Sequence, residues 1–161
     1  MDITPAERAR NAVEAAGIDF AVTTHGHVSS LEEAAQARGL TPDRVLKSLV
    51  VRRADDDYLF VLVPGGRSIS WPKLRAHLGV SRLSMPDAAV AFSVTGYQRG
   101  TITPFGSTRV WPVIADASMP HGPVSIGGGV SGTAFTVDSA DLVTSLGAQV
   151  ADVTEAEGGA E

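Results

Sequence analysis

The chain has 161 residues, 43% hydrophobic and 19% charged, with a formal net charge of −5 at pH 7. This length suits one domain with a real core, and the balance excludes a disordered chain. The acidic total argues against a protein that coats nucleic acid, and the absence of cysteine excludes disulfides, thiolate metal sites and cysteine nucleophiles.

No apolar run approaches the roughly 18 residues needed to cross a bilayer. The start, MDITPAERAR, lacks the basic-then-apolar pattern of an export signal. The expected compartment is the cytoplasm. The tail from Thr154 to Glu161 is rich in Gly, Ala and Glu and reads as disordered. Residues 1–153 then form the expected single domain. The tail carries Glu155, Glu157 and Glu161, so the body is closer to neutral and can hold a local basic site.

In chain order, Thr4-Pro5-Ala6-Glu7 predicts a capping box with proline at the first helical position. That helix runs to about Ala16, and Gly17 stops it. Ile18 to Val22 alternates like a half-buried strand. Ser30-Leu31-Glu32-Glu33 opens a second capped helix that ends near Gly39. Val45–Val51 and Tyr58–Val63 are β-branched-rich runs flanking Asp55-Asp56-Asp57, which predicts an antiparallel hairpin. Pro64-Gly65-Gly66 ends its second strand.

Ser70 caps a helix through about Leu78, stopped by Gly79. A short strand is expected around Arg82–Leu83, then a helix from near Pro86. Val110–Ala115 and Thr133–Val137 read as strands, Ser139–Leu146 as the last helix, and Gln149–Val153 as a final short strand. Hairpin signals outnumber strand-helix-strand crossovers. The expected class is α+β: one domain with a curved, mixed, largely antiparallel sheet or barrel-like core and helices outside.

Three features can carry chemistry. Lys47 lies inside VLKSLVV and shares a strand face with Val45, Leu49 and Val51. A lysine there either guards a sheet edge or serves a cleft that needs its charge. The loop Gly96–Gly106 (GYQRGTITPFG) has three glycines and one proline. It is either a turn-rich connection or a fixed ribbon presenting backbone N–H groups to an anion or oxyanion. Ser125–Gly132 (SIGGGVSG) lacks the lysine and spacing of a P-loop, so a tight turn competes with a phosphate cradle.

His25 and His27 share a side on an extended segment, but no HExxH or cysteine framework accompanies them. His77 and His121 fall on a helix surface and in a loop. No GxSxG elbow is present. No metal or cofactor is expected.

Taken in order, these motifs resemble the YbaK/EbsC family, the prolyl-tRNA synthetase-associated editing domain, over nearly the whole chain to about Val153. His25 precedes a Glu- and Ala-rich helix (LEEAAQARGL) as in the family pattern. VLKSLVV is similar to the family's lysine strand, with Lys47 at the lysine position. TGYQRGTITPFG is similar to its GxxxP loop, with Gly100 and Pro104 in place. VWPVIADASM places Asp116, VSIGGG is similar to the glycine turn, and DSADLV to the last helix. The hairpin end Pro64–Trp71 and the triple glycine at 127–129 depart from the family pattern and bear on the amino-acid pocket.

The resemblance implies a trans-acting aminoacyl-tRNA deacylase for mischarged tRNA, with Cys- or Ala-tRNA(Pro) as candidate substrates. It implies catalytic roles for Lys47, Gly100, Thr101, Ile102, Thr103 and Pro104. It implies substrate contacts from His25, Phe105, Gly106, Asp116, Gly127 and Gly128. The implied partners are the acceptor end of tRNA and a synthetase, not DNA or a membrane. Two alternatives stay open: a noncatalytic tRNA-end or nucleotide-binding module, and a synthetase-docking protein.

Overall fold

The computed structural model describes residues 3–157. Its helices form where local sequence dictates. Helix α1 (Pro5–Ala15) starts at Thr4, whose hydroxyl accepts from Glu7 N while Glu7 returns to Thr4 N. Ala9 and Val13, four apart, turn inward. Helix α2 (Leu31–Arg38) is capped by Ser30 and closed by Gly39 in the left-handed conformation. Asp87 caps α4 (Ala88–Thr95), and Asp138 caps α5 (Ser139–Leu146). Helix α3 spans Trp71–Leu78.

The strands are β1 (Phe20–Thr24), β2 (Leu46–Ala54), β3 (Asp57–Pro64), β4 (Arg67–Ile69), β5 (Val113–Asp116), β6 (Pro123–Gly127), β7 (Thr133–Asp138), β8 (Gln149–Ala151) and β9 (Thr154–Ala156). They form three sheets: β1-β7-β6, β2-β3-β5-β8 and β4-β9. β2 and β3 form the expected hairpin, with Lys47 opposite Val63 and Val51 opposite Leu59. Asp56 turns it with φ 57°. β5 runs parallel to β3 and to β8, so the central sheet is mixed.

β3 is buried on both faces, and its alternation divides the interior. Tyr58, Phe60 and Leu62 face a large core with α1, α4, α5, β6 and β7. Leu59, Val61 and Val63 face a second core with Ile69, Leu74 and Val153. Emptying the Phe60 position with alanine would cost about 3–5 kcal/mol.

The α+β class holds, with several corrections. The sheets do not close into a barrel: β1 and β8 each pair on one side only. The first strand lies at 20–24 rather than 18–22. Residues 82–83 form no strand; a single bridge joins Ser84 to Arg52. The helix expected from Pro86 starts at Ala88, because the Asp87 carboxylate accepts from Val90 N. The strand expected from Val110 starts at Val113, after Pro112 O has accepted from Phe60 N. The Gln149–Val153 segment stops pairing at Ala151. The tail expected to be disordered from Thr154 instead forms β9 against β4. Residues 158–161 of that tail lie outside the described residues.

Candidate active site

β2 pairs with β3 along one edge only. Along its other edge it is flanked by two isolated bridges, Val45 (just before the strand) to Ser125 and Arg52 to Ser84. Arg52 N donates to Ser84 O at 2.8 Å, and Ser84 N returns to Arg52 O at 3.1 Å. By the two-residue period, the backbone groups of Val50 and Ser48 point out on the same edge. A cavity of about 460 Å³ lies there. Its walls are Val45 and β2 from Leu46 to Val50, then Met85, Pro86, Ala88 and Ala91 around the start of α4. Arg99, Gly100, Ile102, Gly127 and Arg38 complete it.

The loop that contributes Gly100 and Ile102 is tied at both ends by Arg8 of α1. Arg8 Nη2 donates to Gly96 O at 2.7 Å and Nε donates to Gly106 O at 2.9 Å. The same guanidinium lies 4.7 Å from the Tyr97 ring centre. Tyr97 is fully buried and its hydroxyl donates to Phe105 O at 2.6 Å. Burial pushes the Tyr97 hydroxyl pKa up, partly offset by Arg8. In the middle, Thr101 N and Oγ1 both donate to Gln98 O, and Gly129 N donates to Thr101 O. The ribbon is therefore fixed before any ligand arrives, which an oxyanion site requires.

The glycine turn after β6 sets the loop's position. A Cβ on Gly127 would stand 2.9 Å from Ile102 O, and one on Gly129 would stand 2.7 Å from Pro5 O. These contacts account for glycine at both places. Gly128 N donates to Thr133 O, so that glycine belongs to the turn.

Lys47 borders the cavity, but its amine is held elsewhere. Nζ donates to Arg67 O at 2.8 Å and to Glu157 Oε1 at 3.0 Å. Strand alternation puts Lys47 with Leu49 and Val51 on the face of the second core. Ile102 and Phe105 belong to the first. The structure thus brings Lys47, Gly100, Ile102 and Gly127 around one cavity, with the lysine amine directed to the β4–β9 side.

The other residues implicated by sequence lie outside this lining. Thr101, within the ribbon, and Thr103 and Phe105, which follow it, are buried. Pro104 accepts from Ser107 N within the loop, and Gly106 is clamped by Arg8. His25 N donates to Gly132 O, and His25 Nδ1 lies 2.9 Å from Gly26 O. Asp116 is 1% exposed and accepts from Val153 N at 2.9 Å and from Ser118. Burial raises its carboxyl pKa, but the hydrogen bonds from Ser118, Val153 and Thr154 outweigh burial and hold it below the usual carboxylate range.

Four residues at or behind the site escaped the sequence reading: Arg8, Arg38, Ser48 and Arg99. Arg38 reads locally as a cation complementing the C-terminal end of α2. Ser48 reads as one more strand residue. Among the described residues, no three His, Asp or Glu side chains gather as a metal site. No helix among them is long and apolar enough to cross a membrane.

Over 95 residues the chain is 34% identical to a proline–tRNA ligase of Thermosipho melanesiensis, a match spanning 59% of this chain and 16% of that one. Several similar ligases match over comparably small parts of their length. EbsC of Enterococcus faecalis, a candidate Cys-tRNA(Pro)/Cys-tRNA(Cys) deacylase, is 22% identical over 80% of this chain and 79% of its own. The crystal structure of a candidate trans-editing enzyme for prolyl tRNA synthetase superposes with a TM-score of 0.85 at 25% identity, covering 96% of this chain and 99% of that one. The aminoacyl-tRNA editing domain profile matches residues 25–145, and the chain belongs to that family.

Proposed function

We propose that the chain is a trans-acting deacylase that hydrolyses the ester of mischarged tRNA, with a small acyl group such as alanyl or cysteinyl on tRNA(Pro). The observation that carries this reading is a pinned peptide ribbon, Gly100–Ile102, facing the open edge of β2 across one cavity. The family membership and the 99% coverage of the trans-editing structure support it.

The cavity lining contains one hydroxyl, Ser48, and no histidine or carboxylate. A serine without an adjacent base is a weak nucleophile. The reaction then falls to a water positioned by the neighbouring ribose hydroxyl, or to a side chain of the acyl group itself. In the water route, oxygen adds to the ester carbon, the carbonyl oxygen takes up negative charge, and the ester C–O bond breaks. The ribose oxygen gains a proton, and a free amino acid leaves. Backbone N–H groups of the ribbon stabilise the charged intermediate, and one such donor is worth about 3 kcal/mol. Lys47 enters by exchanging Glu157 for polar groups of the CCA end.

The acceptor end is assigned to a second groove of about 350 Å³, whose lining includes Ser84, the sequence neighbour of the cavity's Met85. Arg52, Arg53, Arg75 and Arg82 line it. Arg52 and Arg53 pair with Asp55 and Asp57. Arg75 and Arg82 have no acidic partner among the described residues and suit phosphate backbone. A translation-linked role fits the cytoplasm, with a synthetase as the supplier of its substrate.

The test is a single-turnover assay of purified protein against a panel of mischarged tRNAs. Release of a small amino acid from at least one of them is expected. Tight binding with no release across the panel would instead identify a noncatalytic tRNA-end module.

A further inference from the structure

Arg38 sits in the cavity wall with more hydrogen-bonding capacity than its neighbours use. Nη1 donates to Ser125 Oγ at 3.1 Å. Nε is buried and has no acceptor, and no carboxylate lies within ion-pair distance among the described residues. Burial lowers its pKa, the sign of a charge removed from water. Ser48 Oγ, in the same lining, is also buried without a partner. A desolvated cation and a desolvated hydroxyl in the lining of one cavity are costly unless a ligand meets them.

Most other cations near the site are already engaged, and Arg99, also in the lining, is exposed to solvent rather than desolvated. Lys47 holds Arg67 O and Glu157, Arg8 holds Gly96 O and Gly106 O, and Arg44 holds His121 O and Pro123 O. Arg38 is the cation of the cavity wall that is both desolvated and short of acceptors. Its anchor, Ser125, lies two residues before Gly127 on β6, and Gly127 abuts Ile102 O. Two strand residues span about 6–7 Å, comparable to the reach of one ribose from its 5′ phosphate to its 3′ ester.

We propose that Arg38, with Ser48, forms the anion site of the cavity and receives the phosphate on the 5′ side of the substrate's terminal nucleoside. This rests on the deacylase reading for the identity of that nucleoside. In an aminoacyl ester the α-carboxyl is consumed and the α-amine is cationic. The remaining anion at that end is phosphate, unless the acyl group has an acidic side chain. A planar guanidinium presents paired N–H groups that match phosphate oxygens.

The experiment compares adenosine 5′-phosphate with adenosine by calorimetry. Wild-type protein is expected to bind the phosphate form about tenfold tighter or more. Arg38→Gln, which keeps a donor for Ser125, should bind the two alike, and Arg38→Lys should keep part of the preference. Ser125→Ala, which removes the prop and leaves the charge, should weaken the preference without abolishing it. An unchanged preference in Arg38→Gln, or no phosphate preference in the wild type up to millimolar concentration, overturns the proposal. A loss confined to hydrolysis of aspartyl esters would assign Arg38 to an acidic acyl group and also overturn it. The binding readout needs no turnover. A protein that prefers the phosphate through Arg38 but hydrolyses nothing keeps this site and loses the deacylase reading. Hydrolysis of a mischarged tRNA with no Arg38 effect does the reverse.

Discussion

The amine of Lys47 meets the carboxylate of Glu157 at 3.0 Å, just where the chain leaves β9 beside β4. The two side chains are 38% and 54% exposed. A pair that wet contributes at most about 1 kcal/mol. It is weak enough for a substrate group to displace, and strong enough to set the resting direction of the amine.

Glu157→Gln is therefore expected to raise kcat/KM for deacylation by roughly two- to fivefold, within the energy of such a pair. Lys47→Met should lower kcat/KM by about tenfold or more while melting stays within a few degrees. In the Lys47→Met background, Glu157→Gln should do nothing further. Full activity in folded Lys47→Met would leave the lysine as a strut between β2 and β4.

The glycines of the site divide by what a methyl group would touch. Gly100 has φ 86°, and its added Cβ would meet nothing within 4 Å. Gly100→Ala should lower stability by about 1–2 kcal/mol through backbone conformation alone. Gly100→Val adds bulk at the cavity wall and should lower kcat/KM as well. Gly127→Ala forces its Cβ against Ile102 O and shifts the ribbon. Displacement of a catalytic ribbon by a fraction of an ångström to 1 Å can cost up to about 100-fold in rate. Paired melting and single-turnover measurements separate these effects. Wild-type rates in stable Gly100→Val and Gly127→Ala would remove the ribbon from the mechanism.

Much of this was legible locally. Thr4 with Glu7 and Ser30 with Glu33 announce α1 and α2, because each cap is completed within one turn. The β2–β3 hairpin is legible for the same reason. β4 and β9 were hidden because Arg67–Ile69 finds its partner almost ninety residues later, in a stretch whose composition suggests a loose end. Thr154 orders that stretch by accepting from Arg67 Nε at 2.7 Å. Strand parity grouped Lys47 with Leu49 and Val51. It could not say which sheet face meets the Gly96–Gly106 loop, because that depends on how the layers pack. Arg38 was hidden because a cation in the last turn of a helix needs no further explanation in sequence.

Asp116 gives a pH signature. Its carboxylate holds Val153 N and Ser118 and lies 3.8 Å from Arg67 Nε, so it joins the end of β5 to the segment leading into β9. Its folded pKa is depressed, because the hydrogen bonds from Ser118, Val153 and Thr154 exceed the opposing effect of burial. A depressed carboxylate stabilises the fold fully above the unfolded pKa of about 3.9, and that contribution disappears as pH falls through the lower folded pKa. Asp116→Asn turns part of the acceptor into a donor facing N–H groups. It should cost about 2–3 kcal/mol at pH 7. The gap between the urea midpoints of wild type and variant should narrow as pH falls from 7 to 3. A gap that stays constant over that range would show that Asp116 is not a source of the acid sensitivity.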